Sequence, residues 1–143
     1  MKISLCLVVW NELGGCQLDV PNIPRDAFHE IYAVDGGSTD GTVEYLESCG
    51  IPVHPQTKRG LNAAYLDTNR LSTGDAVVVY FPKGTIPVDD LLKFCPLLEA
   101  GSVISFTLGW HSPCAPWVDR FATVNVKHFQ EFGFARVWNP LSK

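Results

Sequence analysis

Apolar positions come in short, dense runs separated by turn residues. Residues 3–9 form a continuous β-rich run, the signature of a strand buried on both faces of a parallel sheet. Residues 30–34 (E-I-Y-A-V) predict a second strand, which stops at Asp35, and residues 51–53 (I-P-V) a short third. Residues 76–81 (A-V-V-V-Y-F) are the strongest strand signal in the chain, and residues 102–108 predict another. Helical spacing appears between them. Val43 and Leu46 give residues 42–49 an inner face, and Gly50 stops that helix. Leu61, Ala64, Tyr65 and Thr68 do the same for residues 60–71. Pro87-Val88-Asp89-Asp90 opens a further helix running to about Glu99. Gly14, Gly15, Pro21 and Pro24 predict loop after the first strand.

Strands alternating with helices predict βαβ units and a mostly parallel sheet, an α/β Rossmann-like domain. Ligands of such sheets bind outside the carboxyl ends of the strands. Asn11-Glu12, the segment from Asp35 to Asp40, and the segment from Phe81 to Thr85 all fall there.

Composition narrows the classes. The 143 residues suit one domain, and 46% apolar with 18% charged residues reads as globular. A net charge of −4 without a basic run excludes the footprint of a nucleic-acid binder. The five cysteines, an odd number with no C-x-x-C, point to reduced thiols and a cytoplasmic setting. Leu13-Gly14-Gly15-Cys16 has the form of a lipoprotein cleavage box, but the apolar run before it is short and interrupted by Asn11 and Glu12, which favours a buried first strand. No run approaches a membrane span.

The strongest chemical signal is Val34-Asp35-Gly36-Gly37-Ser38-Thr39-Asp40-Gly41-Thr42. A carboxylate at a strand end can accept from a nucleobase N–H or ribose hydroxyls, and glycines let backbone approach a flat ligand. Ser38 or Asp40 can cap the following helix. A capped strand-to-helix turn without a ligand would need the same residues.

A strand ending in Asn11-Glu12, followed by V-D-G-G-S-T-D-G-T, resembles the family-2 glycosyltransferases and their dolichyl-phosphate-mannose-synthase-like relatives. Lys58-Arg59-Gly60 before Ala63-Ala64, and Thr73-Gly74-Asp75 before the strong strand, resemble the family's next segments, so that the likeness covers roughly residues 3–105. It implies a GT-A nucleotide-diphospho-sugar transferase fold, a nucleoside-diphosphate sugar as ligand and an acceptor hydroxyl as partner. By position it implies Asn11, Glu12, Asp35, Gly36, Gly37, Ser38, Asp40 and Arg59 in the ligand site, with Glu12 and Asp35 at the nucleoside, Asp40 structural or near the ribose, and Arg59 near base or phosphates.

The family's D-x-D, which holds Mg²⁺ or Mn²⁺ on the diphosphate, is replaced by Phe81-Pro82-Lys83. Phe81 has no ligand atom, and Lys83 repels a cation. The expectation is therefore a doubtful metal, with the Lys83 ammonium standing at the diphosphate in its place. The alternatives are loss of both metal and chemistry, leaving a binding or interaction module, a Lys83 that is only a turn lysine pointing to water, and a piece of a longer enzyme. Asp89-Asp90 lies past the strand at a helix start and reads as capping. For a general base the segment after Glu99 offers only Asp119 and Glu131 as carboxylates, with His111 and His128 able by chemistry alone. Asp119 is the candidate, though a carboxylate next to Arg120 is more often a surface ion pair than a base. Residues 109–143 form a short aromatic-rich tail in place of a full acceptor-binding part, suited to core packing or to an interface with a partner chain or second copy.

Overall fold

Every residue of β1 (Ile3–Val9) is buried, because strands lie on both sides of it and helices cover both faces. The structure, a computed structural model, describes residues 1–99, 104–107 and 121–125. Its elements continue with α1 (Leu13–Asp19), β2 (Glu30–Asp35), α2 (Thr42–Ser48), β3 (Val53–Pro55), α3 (Leu61–Leu71), β4 (Ala76–Tyr80), a 3₁₀ turn at Val88–Lys93 leading into α4 (Phe94–Glu99), β5 (Ile104–Thr107) and β6 (Phe121–Asn125). They build one sheet in the order β3-β2-β1-β4-β6-β5. The first four strands run parallel, while β6 pairs antiparallel with both β4 and β5.

The period-2 alternation of the strands sorts the core into two faces. Leu5, Leu7 and Val9 point to one side with Cys16, Val20, Leu46, Ile51 and Leu91. Cys6, Val8, Tyr32 and Val34 point to the other, against Ala64 and Tyr65 of α3. Burial pushes the thiols of Cys6 and Cys16 up to about 12, so both are inert core hydrophobes. Among the described residues no helix is long and apolar enough to cross a membrane.

Two expectations need correcting. The loop expected after β1 is helix α1, which forms despite Gly14 and Gly15 because it buries Cys16 and Asp19. A Cβ on Gly15 would stand 2.0 Å from the Pro82 carbonyl oxygen, so the glycine that lowers helix propensity is what allows α1 to dock. The third strand pairs at Val53–Pro55 rather than at 51–53, because Ile51 instead drops into the core beneath α2. Asp89 and Asp90 lie in the first turn of the 3₁₀ segment, as expected of acidic residues at a helix start, but neither makes a side-chain capping hydrogen bond, and Asp90 instead pairs with Lys93 at 2.5 Å.

β1 lies between β2 and β4, and the chain reaches β4 only after running out to β3 and back through α3. This is the point where the strand order reverses, and the crevice at its carboxyl end is where an α/β sheet takes a ligand.

Candidate functional site

The carboxyl ends of β1, β2 and β4, with the loop before α3, enclose a cleft of about 590 Å³. Its apolar wall is Val8, Val9, Leu61, Ala64 and Phe81, with Trp10 at the mouth. Its polar groups are Glu12, Gln56, Arg59 and Lys83, and Gly36, Gly37 and Gly60 bring bare backbone to its surface. Trp10 and Leu61 are 66% and 47% exposed, which leaves the entrance apolar and open.

Two loops are tied together to make this shape. The N–H of Asn11 donates to Ser38 Oγ at 2.8 Å, and Thr39 N–H donates to Asn11 Oδ1 at 2.8 Å. Glu12 N–H donates to Thr42 Oγ1, and Leu13 N–H to Asp40 Oδ2. Asp40 Oδ1 accepts from the Thr42 N–H and hydroxyl, so one carboxylate serves the starts of both α1 and α2. The Thr42 hydroxyl, with the N–H groups of Leu13 and Thr42, holds Asp40 below its usual carboxylate range. Asn11 takes the left-handed conformation at φ 49°, which Asn tolerates better than most residues.

Asp35 ends β2 and is buried. Its oxygens accept from the N–H of Gly37 at 2.9 Å, the N–H of Ser38 at 3.0 Å and the Ser38 hydroxyl at 2.5 Å. Gly37, at φ 97°, supplies the turn that a side chain would strain. Asp35 thus stands behind the Gly36-Gly37 backbone that faces the cleft. The loop carrying Arg59 is shaped by Asp67 of α3, which accepts from the Thr57 N–H at 2.8 Å, and by Gln56 Nε2, which donates to the Gly60 carbonyl.

The predicted residues therefore separate. Glu12, Gly36, Gly37, Arg59 and Lys83 line the cleft, whereas Asn11, Asp35, Ser38 and Asp40 brace its loops. Asp119, and with it most of the aromatic tail, lies outside the described residues. Sequence reasoning missed Trp10, whose only signal was its place next to Asn11-Glu12 at the end of a buried strand. It also missed Asp19. This buried carboxylate accepts from the Tyr80 hydroxyl at 2.7 Å and the Gly84 N–H at 2.8 Å, and so fixes the turn after β4. Burial and the bond to Asp19 push the Tyr80 phenol above its usual range.

At the end of β4, Phe81 faces Tyr65 edge-on with ring centres 6.4 Å apart. Lys83 reaches back across the cleft, and its Nζ lies 2.7 Å from Glu12 Oε1. Among the described residues that line the cleft, Glu12 is the one carboxylate. No group of three or more His, Cys, Asp or Glu able to hold a metal ion is assembled among the described residues. With a phenyl ring at one position and an ammonium at the other, this strand end does not fit a divalent cation.

The sequence matches the family model of glycosyl transferase family 2 over residues 6–102, more than half of the chain. The fold is similar to that of glucosyl-3-phosphoglycerate synthase from Mycobacterium tuberculosis, with a TM-score of 0.70 at 20% identity, covering 88% of this chain and 58% of that one. The same enzyme in complex with Mg²⁺ and UDP gives a TM-score of 0.69 at 19% identity, covering 88% and 57%. Its complex with Mn²⁺ and UDP-glucose gives 0.68 at 19% identity, covering 88% and 56%. The chain thus spans a little over half the length of these structures, and it shares with them the α/β GT-A fold. A search of curated proteins found no match.

Proposed function

The chain belongs to glycosyl transferase family 2, and from that premise we propose that its cleft binds a nucleoside-diphosphate sugar and that the sugar passes to an acceptor hydroxyl. One observation carries the reading. An apolar wall with an exposed indole at its mouth meets two cationic side chains, Lys83 and Arg59, in a single cleft at the carboxyl ends of three parallel strands. A base needs the flat apolar surface, and a diphosphate needs the cations. The Gly36-Gly37 backbone lies alongside and, braced by Asp35, offers close approach to the nucleoside.

In the transfer, the acceptor oxygen bonds to the anomeric carbon as the bond from that carbon to the diphosphate breaks. The electron pair leaves with the diphosphate, and the acceptor's proton passes to a base, for which Asp119 is the candidate. Direct displacement inverts the anomeric centre. Lys83 is the residue assigned to the charge that develops on the leaving diphosphate, since the site does not fit a divalent ion. A second reading, nucleotide binding without turnover, is favoured by the engagement of Lys83 with Glu12.

Trp10 gives the test. Titration with UDP or GDP should change tryptophan fluorescence, and Trp10→Phe should remove most of that change. A signal that persists unchanged in Trp10→Phe places the nucleotide elsewhere.

A further inference from the structure

Glu12 and Lys83 are built to meet. The Glu12 backbone is held on both sides, its N–H on Thr42 Oγ1 and its carbonyl accepting from the Cys16 N–H at 2.9 Å. The Lys83 backbone is wedged against Gly15, and the next residue, Gly84, donates its N–H to buried Asp19. With both main chains fixed by these contacts, the two side chains close on each other at 2.7 Å, and each stays partly exposed to the cleft, 33% for Lys83 and 23% for Glu12.

The charges in the cleft follow from this contact. Arg59 has no ion pair or side-chain hydrogen bond among the described residues, whereas Lys83 is already neutralised by Glu12. An incoming phosphate and the Glu12 carboxylate are both anions seeking the same ammonium. A nucleoside without phosphate has no reason to disturb the pair.

We infer that Glu12 is an internal stand-in for ligand phosphate, a specificity-determining residue that occupies Lys83 until a polyanionic phosphate group displaces it. The inference rests on the nucleotide reading above and gives Glu12 a role distinct from contact with the nucleoside. Glu12 sets a threshold. A ligand must bring enough phosphate charge to take Lys83 from the carboxylate, and a diphosphate does so more readily than a monophosphate.

The consequence runs against the usual result of removing a cleft residue. Glu12→Gln keeps the side-chain shape and deletes the competing charge. It should tighten binding of UDP or GDP about fivefold, the order of magnitude of a partly exposed ion pair released. Affinity for uridine or guanosine should stay unchanged. The double variant Glu12→Gln/Lys83→Ala should show no such gain over Lys83→Ala alone, which keeps the effect tied to the pair rather than to a general change of charge. These affinities are measured by titration calorimetry in chelator. Weaker or unchanged diphosphate binding in Glu12→Gln overturns the inference and leaves the nucleotide site standing. Equal gains with and without Lys83 also overturn it. Absence of diphosphate binding in both the native protein and Glu12→Gln removes the nucleotide reading and the inference together, while binding that appears only in Glu12→Gln supports the inference.

Discussion

Gly15 of α1 packs against the Pro82 carbonyl so closely that a Cβ would stand 2.0 Å from the oxygen and 2.8 Å from the Lys83 Cα. The neighbour is backbone, which has little room to give. Gly15→Ala must therefore push α1 away from the turn after β4, at about 1–3 kcal/mol in stability, the range of an overpacked contact. Because that turn carries Lys83, diphosphate affinity should fall with it. Urea unfolding together with nucleotide titration checks both effects; an unfolding midpoint equal to that of the native protein would show that the contact is relieved without strain.

Asp40 links the loop geometry to pH. Its native pKa lies below its ordinary value of 3.8, so its charged form stabilises the fold. That contribution is present above the ordinary value and is lost as pH falls through the lower native one. Asp40→Asn, which mimics the protonated acid, should be less stable than the native protein near neutrality, and the gap should close as pH drops below 3.8. Urea midpoints recorded across that interval measure the gap; a constant difference at all pH values would mean that the charge on Asp40 does not stabilise the fold.

Asp35 shapes the turn at the cleft wall, so Asp35→Ala should abolish or strongly weaken nucleotide binding as Gly37 and Ser38 lose their acceptor. Stability should drop by about 1–2 kcal/mol, since the freed N–H groups gain access to water. Asp35→Asn keeps one acceptor oxygen and should fall between. Unchanged nucleotide affinity in Asp35→Ala would remove the Asp35 turn from the site.

Much of this arrangement was legible in the sequence, and the exceptions have physical causes. Strands β1, β2 and β4 announce themselves because strands buried on both faces must be apolar throughout. The clustering of Glu12, Gly36, Gly37 and Lys83 follows from the rule for parallel sheets, which needs only the strand ends, whereas Arg59 is placed there by the family resemblance alone. Helix α1 was hidden because its evidence is tertiary: Gly14 and Gly15 read as breakers until Pro82 is seen beside Gly15. Asp19 was hidden for the same reason, since its partners Tyr80 and Gly84 lie 61 and 65 residues away. The Glu12–Lys83 contact spans 71 residues and has no local signature either. Strand β6, antiparallel between β4 and β5, was also not read, because the βαβ pattern that makes the first four strands visible ends before it.

In the proposed nucleotide site, Lys83 acts where a metal-binding motif would stand. The most direct measurement is calorimetric titration with UDP and GDP in EDTA and again in Mn²⁺, on the native protein and on Lys83→Ala. Diphosphate binding in EDTA that Mn²⁺ does not tighten is the expected result. Lys83→Ala should lose about tenfold in diphosphate affinity, equivalent to ~1.4 kcal/mol, a loss that the bare nucleoside does not share. Binding that appears only with Mn²⁺, or that Lys83→Ala leaves intact, would contradict this role of Lys83.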